Sequence, residues 1–104
     1  MTEHNYPQGL LLTVAYNGEN FHGFALQPET RTVAGTLLSA LQSIDPSVSS
    51  LRGASRTDAG VHAKGQLVAF DSSKPIPLRG WVLALASRLP ADLVVRSASS
   101  VEPS

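Results

Sequence analysis

The sequence predicts a single α+β domain, built from one four-stranded antiparallel sheet with two helices on one of its faces. The observations behind this prediction are short runs of β-branched and aromatic residues, longer segments with helical spacing of apolar residues, and prolines or glycines between them. A chain of 104 residues is long enough for one hydrophobic core but not for two. We therefore expect residues 1–104 to form one domain.

The first half of the chain is predicted to contain a strand and a helix. Leu10 to Tyr16 is rich in β-branched, aromatic and leucine residues and runs into an Asn-Gly turn signal, so we interpret it as the first strand. Apolar side chains on both of its faces favour a central position in the sheet. Thr32 is a suitable helix N-cap, and apolar residues follow it at helical spacing. Because Pro46 cannot continue a helix, the helix is expected to end near Asp45.

The second half is predicted to contain three strands and one helix. Val48 to Arg52 is a short strand that leads into a glycine-rich loop, and Gln66 to Asp71 is the strand that follows the loop. A second helix begins near Pro77, and Pro90 ends it. Leu93 to Ala98 is the last strand. The order strand, helix, strand, strand, helix, strand (βαββαβ) is that of the split βαβ, or ferredoxin-like, arrangement.

Charge and cysteine content restrict the classes of function. Eight basic and eight acidic residues cancel, so the chain lacks the overall positive charge typical of nucleic-acid-binding domains. Any RNA contact is therefore expected from a local cluster, and Arg52, Arg56 and Lys64 lie close together in the sequence. The chain contains no cysteine, which excludes a disulfide, a thiolate nucleophile and a cysteine-ligated zinc within it.

No segment of the sequence is typical of export or of membrane insertion. Residues 1–9 have the features of neither a secretory signal nor a transit peptide. No apolar run approaches the length of a membrane span. We therefore expect a soluble, cytoplasmic protein with no membrane partner.

The segment Gly53 to Gly65 carries the residues best suited to form a site. Between its glycines it places a cation, a hydroxyl, a carboxylate and an imidazole, which are Arg56, Thr57, Asp58 and His62. A connector of this length without a hydrophobic period is uncommon in a small domain and is often functional. Spacing alone nevertheless favours a simpler explanation for the aspartate, namely that it caps a turn through its own backbone.

At positions 56–62 the chain reads RTDAGVH, which resembles the signature of the TruA-type tRNA pseudouridine synthases. The resemblance extends from about Leu10 to about Pro103. It implies an isomerase that needs no cofactor, acts as a homodimer and converts uridine to pseudouridine in the anticodon stem-loop of tRNA. It also implies that Asp58 is the catalytic nucleophile, a role for which a carboxylate that forms a covalent intermediate is suited.

The same resemblance implies roles for further residues. Arg56 would align the carboxylate of Asp58, fill the stack left by an extruded base, or bind a phosphate, rather than form an ordinary exposed ion pair. Thr57 is expected to fix the loop backbone, and His62 either packs the loop or contacts RNA. Gln27, in the long connector after the first strand, matches a glutamine common in the family and is a candidate RNA contact. In that connector, the aromatic rings of Phe21 and Phe24 are interpreted as covering the edge of the core.

Other classes of function stay open. RNA-recognition modules share this strand order, so an RNA-binding module without catalysis is the main alternative. The predicted third strand lacks the basic-aromatic signature that stacks bases, and a carboxylate at position 58 gives a pure RNA binder no advantage. A folding or interaction unit with a vestigial site is a third possibility. The three histidines do not fall at metal-ligand spacing, so no metal is expected.

Members of the family that the chain resembles continue well past the position of Ser104 into a second, similar half. That half completes the sheet and supplies an aromatic residue that stacks on the target base. The chain is therefore interpreted as the N-terminal half of such an enzyme, and it is expected to be inactive on its own.

Overall fold

The computed structural model of the chain describes residues 8–21, 23, 29–52 and 63–102. These residues form three strands and two α-helices around one core. The elements, in chain order, are β1 (Gln8–Tyr16), α1 (Val33–Ile44), β2 (Ala63–Ser72), α2 (Leu78–Ala86) and β3 (Leu93–Val101), with a 3-10 turn over Gly18–Asn20 after β1. The α+β class and the two helices are therefore confirmed.

Strand β1 lies in the middle of the sheet. The strand order is β2-β1-β3, and both pairings are antiparallel. Leu11, near the centre of β1, lies opposite Ala69 of β2 on one side and Ser99 of β3 on the other. The central position that the apolar residues of this segment predicted is confirmed.

The predicted short strand Val48–Arg52 is replaced by a single antiparallel bridge. Arg52 and Ala69 exchange two backbone hydrogen bonds of 2.9 Å each, at the edge of β2 that faces away from β1. The backbone of Val48 is bonded to the end of α1 instead: its amide donates to Asp45 O (3.1 Å), and its carbonyl accepts from Gln42 Nε2 (2.9 Å). The part of the chain that the structure describes thus contains a three-stranded sheet, not the predicted four-stranded one.

The two helices cover one face of the sheet and bury an apolar core there. The largest fully buried side chains of that core are Trp81, Phe70, Leu10, Leu12, Leu37, Leu41, Leu85, Leu93, Val14, Val33, Val48 and Val68. Trp81 of α2 packs edge-on against Phe70 of β2, with ring centroids 5.1 Å apart and planes at 76°. Full burial of each such side chain contributes roughly 1.5–3 kcal/mol, so this layer supplies most of the stability of the fold.

The ends of the elements follow local signals in part. Thr32 is the N-cap of α1, as predicted, since its Oγ1 accepts from the amide of Gly35 at 3.1 Å. Helix α1 ends at Ile44 with Asp45 as C-cap, and α2 begins directly after Pro77. All three strands are longer than predicted: β1 begins two residues earlier, β2 begins three residues earlier, and β3 ends three residues later.

Gly9 allows the start of β1 to approach the end of β3 closely. A Cβ atom at this position would lie 2.3 Å from Val101 O and 2.6 Å from Glu102 O. Both neighbours are backbone atoms, so neither can move aside without displacing the strand. The pairing of Gly9 with Val101 therefore requires a residue without a side chain.

A buried carboxylate joins the end of α1 to the end of β2. Asp45 is 3% exposed. Its Oδ1 accepts from the amide (3.0 Å) and the Oγ (2.7 Å) of Ser47, and its Oδ2 accepts from Ser72 Oγ. Burial raises the pKa of Asp45, but the hydrogen bonds from Ser72 and Ser47 together outweigh it, so the pKa lies below its ordinary value.

We expect Gly9→Ala to lower the free energy of unfolding by about 1–3 kcal/mol, because the added methyl group overlaps the backbone of β3. Gly65→Ala is the matched control, since its nearest neighbour would be Thr13 Cγ2 at an ordinary 3.7 Å. The control should be neutral or slightly stabilising. Urea denaturation of the 104-residue chain, followed by circular dichroism, measures both changes. Equal stability of Gly9→Ala and the wild type would show that the close approach is wrong.

We expect Asp45→Asn to lower the free energy of unfolding at pH 7 by roughly 1.5–3 kcal/mol, since it weakens hydrogen bonds to a buried charged group. A carboxylate whose pKa is lower in the folded state stabilises the fold above its unfolded pKa of about 3.9. That contribution is lost as the pH falls from there through the folded pKa. The stability difference between Asp45→Asn and the wild type should therefore shrink between pH 7 and pH 3.

Denaturation at both pH values tests this expectation. The exposed Glu19→Gln serves as a control and should leave the stability within about 0.5 kcal/mol at pH 7. A stability difference for Asp45→Asn that is the same at pH 3 as at pH 7 would contradict the lowered pKa.

Candidate active-site framework

The residues predicted to act on a substrate lie outside the described part of the chain. They are Gln27, Arg56, Thr57, Asp58 and His62, and Phe24 lies outside it as well. The three histidines of the chain, His4, His22 and His62, also lie outside the described residues, so the absence of a metal site stays a prediction. The structure does describe Arg52 and Ala63, the residues on either side of the segment 53–62, and the contacts that each of them makes.

Arg52 anchors the start of this segment. Its backbone is paired with Ala69 of β2, and its guanidinium lies 2.8 Å from Asp71 Oδ1 and donates to Glu102 O at 3.0 Å. The residue that precedes the loop is therefore tied both to β2 and to the chain directly after β3. Because the guanidinium of Arg52 is paired with Asp71 and with the carbonyl of Glu102, Arg52 is not a free cation in the local basic cluster that the sequence suggested for RNA contact.

Tyr16 marks the point where the segment returns to the sheet. It is the last residue of β1, and it pairs with Ala63 at the start of β2 and with Leu93 at the start of β3. The tyrosine is 5% exposed and donates its hydroxyl proton to Oε1 of Gln66, which is 8% exposed. A buried polar pair thus lies three residues into β2, beside the end of the loop.

Phe21 and Arg31 flank the connector between β1 and α1. Phe21 is 2% exposed and packs edge-on against Tyr16, with centroids 6.1 Å apart, so its predicted role at the edge of the core is confirmed. The guanidinium of Arg31 lies over the Phe21 ring, 4.1 Å from its centroid. Arg31 also makes a bidentate ion pair with Asp92, with two N–O distances of 2.9 Å.

The ion pair between Arg31 and Asp92 shifts both groups toward their charged forms. The hydrogen bond from Arg31 lowers the pKa of Asp92, and the same bond raises the pKa of Arg31. Sequence reasoning missed this pair and the pairing of Tyr16 with Gln66. The partners are 61 and 50 positions apart, and no spacing pattern connects residues at such separations.

Two classes of feature are missing from the described part of the chain. No helix in it is both long and apolar enough to cross a membrane. Within the same residues, no three histidine, cysteine, aspartate or glutamate side chains are grouped so that they would hold a metal ion. The framework around the segment 53–62 is instead made of aromatic, amide, guanidinium and carboxylate groups that bond to one another.

Comparison with known proteins shows the family to which the chain is similar. Residues 12–103 match the family model described as tRNA pseudouridine synthase. A protein of Halalkalibacterium halodurans named tRNA pseudouridine synthase A is 47% identical over 91 residues, which cover 86% of this chain and 35% of that protein. Proteins of the same name from Lactobacillus acidophilus (45% identical over 93 residues) and Rippkaea orientalis (40% over 100 residues) cover 88% and 96% of the chain.

The chain spans about a third of the length of these relatives, at 36% of the Lactobacillus protein and 34% of the Rippkaea protein. The family match begins within β1 and ends just after β3, so it contains β1 from Leu12 onward, both helices, β2 and β3, as well as the segment 53–62. The chain therefore belongs to the tRNA pseudouridine synthase family.

Proposed function

We propose that this chain supplies the nucleophile-bearing part of an enzyme that isomerises uridine to pseudouridine in tRNA. The observation that carries the proposal is that the family match, residues 12–103, includes both the RTDAGVH run and the framework that anchors it at Arg52 and Tyr16. The name that these relatives share, tRNA pseudouridine synthase A, gives the proposed substrate class, tRNA. The anticodon stem-loop, which the sequence resemblance implies, is the proposed target within it.

The proposed chemistry is a rearrangement within one nucleotide. The bond between N1 of uracil and C1′ of ribose breaks, the base turns, and C5 bonds to C1′. N1 gains a proton and C5 loses one, so atoms and electrons balance without an external oxidant or cofactor. A covalent intermediate formed with the carboxylate of Asp58 would divide this exchange into two easier steps.

The other predicted site residues complete the proposal. Arg56 aligns Asp58 or occupies the space of the extruded base, since a planar guanidinium can do either. Thr57 holds the backbone of the loop, whereas His62 and Gln27 contact RNA. The pairing of Arg52 with β2 and of Ala63 with β1 supports these roles, because a site needs rigid elements to hold its groups in place.

The sheet supports catalysis over a pure RNA-binding role. RNA-recognition modules stack bases on aromatic side chains of the open face of the sheet. Among the strand residues that the structure describes, that face carries no aromatic side chain, and its most exposed apolar residues are Leu67 and Val94, each 49% exposed. The aromatic residues of the strands, Tyr16 and Phe70, are buried on the helix side.

The four-stranded ferredoxin-like sheet also belongs to the proposal. The bridge between Arg52 and Ala69 is antiparallel and lies at the outer edge of β2, which is where the second strand of a split βαβ arrangement lies. Extending this bridge along 48–52 would give the full strand order. We propose that the family's remaining length favours this extension.

We further propose that the chain acts in the cytoplasm, as part of a homodimer, and is inactive when isolated at 104 residues. Its formal net charge of zero supports the last point, because tRNA binding at physiological salt depends on many basic contacts to phosphates. The relatives are almost three times as long as the region they share with this chain. The additional length is the proposed source of those contacts.

We expect Asp58→Asn to reduce pseudouridine formation by about 10⁴-fold or more, because the substitution removes a nucleophile but keeps its shape. The assay uses the chain completed to the length of its relatives, unmodified tRNA as substrate, and nucleoside analysis of the product. Binding of tRNA should survive, which separates lost chemistry from lost folding. Appreciable turnover by the Asn variant would show that the nucleophile is assigned wrongly.

We expect Arg56→Lys to slow the same reaction by about 10²-fold, because lysine keeps the charge but lacks the planar fork that aligns a carboxylate or fills a base stack. The matched control is Arg88→Lys, which changes an exposed arginine that hydrogen-bonds to Ser43 and to the carbonyl of Ala84. The control should retain the wild-type rate. A normal rate in both variants would reduce Arg56 to an exposed ion pair.

A further inference from the structure

We propose that Arg31 is a positioning residue for the reaction: held by Asp92, it fixes Phe21 and Tyr16 beside the start of β2, the strand that follows Asp58 in the sequence. The inference rests on the proposed function. It concerns a residue outside the RTDAGVH run, and it is carried by a continuous series of contacts among described residues.

Arg31 uses three parts of its guanidinium at once. Its two terminal nitrogens donate to the two oxygens of Asp92 at 2.9 Å each. One of them also donates to the carbonyl of Asn20 at 3.2 Å. Its flat face lies over Phe21 at 4.1 Å. A planar guanidinium that contacts a carboxylate, a carbonyl and an aromatic ring at once has few accessible conformations. It therefore fixes the groups around it more firmly than a single ion pair does.

Asp92 forms hydrogen bonds with residues near both ends of the connector between β1 and α1. Its carbonyl accepts from the amide of Asn17 at 3.0 Å, while its carboxylate accepts from Arg31. The amide of Val33 adds a second closure by donating to Gly23 O at 3.2 Å. Asn17, which begins the connector, and Arg31, near its end, are thus both bonded to Asp92, directly before β3.

The contacts continue from this point to the end of the segment 53–62. Phe21, held under Arg31, packs edge-on against Tyr16. Tyr16 donates to Gln66 and pairs with Ala63, the first residue of β2. Phe21, Tyr16 and Gln66 are all buried, and packed side chains joined by hydrogen bonds are the kind of network that can transmit a displacement.

The network favours an effect on catalysis over an effect on stability. The side chains of Arg31 and Asp92 are 39% and 25% exposed, and pairs that exposed contribute little to folding. A displacement of about 1 Å in a reacting group, however, can slow a reaction by about 100-fold. Asp58 precedes Ala63 by five positions in the sequence, so the pairing of Tyr16 with Ala63 is the proposed route by which Arg31 acts on the reaction.

The test compares Arg31→Ala, Asp92→Ala and the double variant, again in the chain completed to the length of its relatives. Each single variant should lower kcat about tenfold and leave KM within about twofold, at a temperature well below its Tm. The double variant should be no slower than either single variant, because each single substitution already removes the ion pair between Arg31 and Asp92. Arg31→Lys should fall between Arg31→Ala and the wild type, and Arg88→Ala is the matched control with wild-type kcat.

Several results would overturn the proposal. One is a wild-type kcat for Arg31→Ala. Another is a loss confined to KM, which would make Arg31 a direct RNA contact. A third is additive losses in the double variant, since the two residues would then act separately.

A measurement without turnover separates this inference from the proposed function. The side-chain amide resonance of Gln66 reports whether its oxygen still accepts from Tyr16. It should shift in Arg31→Ala but not in Arg88→Ala, and an unchanged resonance in both would refute the link between Arg31 and Tyr16. If the wild-type protein forms no pseudouridine while this resonance shifts, the proposed function is wrong and the contact network is right.

Discussion

The pairing of β1 on both of its edges is the constraint on which the rest of the structure depends. Among the three described strands, β2 and β3 each pair with β1 and not with one another, so the register of β1 sets the position of both. Its last residue, Tyr16, lies opposite the first residues of β2 and β3. The end of β1 and the starts of β2 and β3 therefore meet at one end of the sheet. At the other end of β1, the same double pairing leaves no room for a side chain at Gly9.

Much of the fold could be predicted from the sequence because its elements follow local patterns. Apolar periodicity located both helices, and Thr32 and Pro77 marked where they begin. The segment Val48–Arg52 has the composition of a strand, but Val48 uses its amide and carbonyl to close the end of α1. Only Arg52 is left to pair with β2. A competition between local capping and sheet pairing cannot be read from propensity alone.

The strand ends were predicted too short for a related reason. The first residues of β2 are alanine, lysine and glycine, which are poor strand formers and were assigned to the loop. They are nevertheless extended because β1 provides partners up to Tyr16. The candidate site was also predictable only in part. Its proposed residues could be identified from one short contiguous run, whereas the pairs Arg31–Asp92 and Tyr16–Gln66 join residues that are far apart in the sequence. Contacts of that range depend on the assembled sheet.

Trp81, described above as part of the core, also gives the chain a built-in optical reporter. It is the only tryptophan in the sequence, it is fully buried against Phe70, and its indole nitrogen has no hydrogen-bond partner among the described residues. The fluorescence of an indole that is shielded from water should have its maximum at short wavelength, and this maximum should shift to longer wavelength when water reaches the ring. Its emission therefore follows the seating of α2 on β2, and events confined to the segment 53–62 should leave it unchanged.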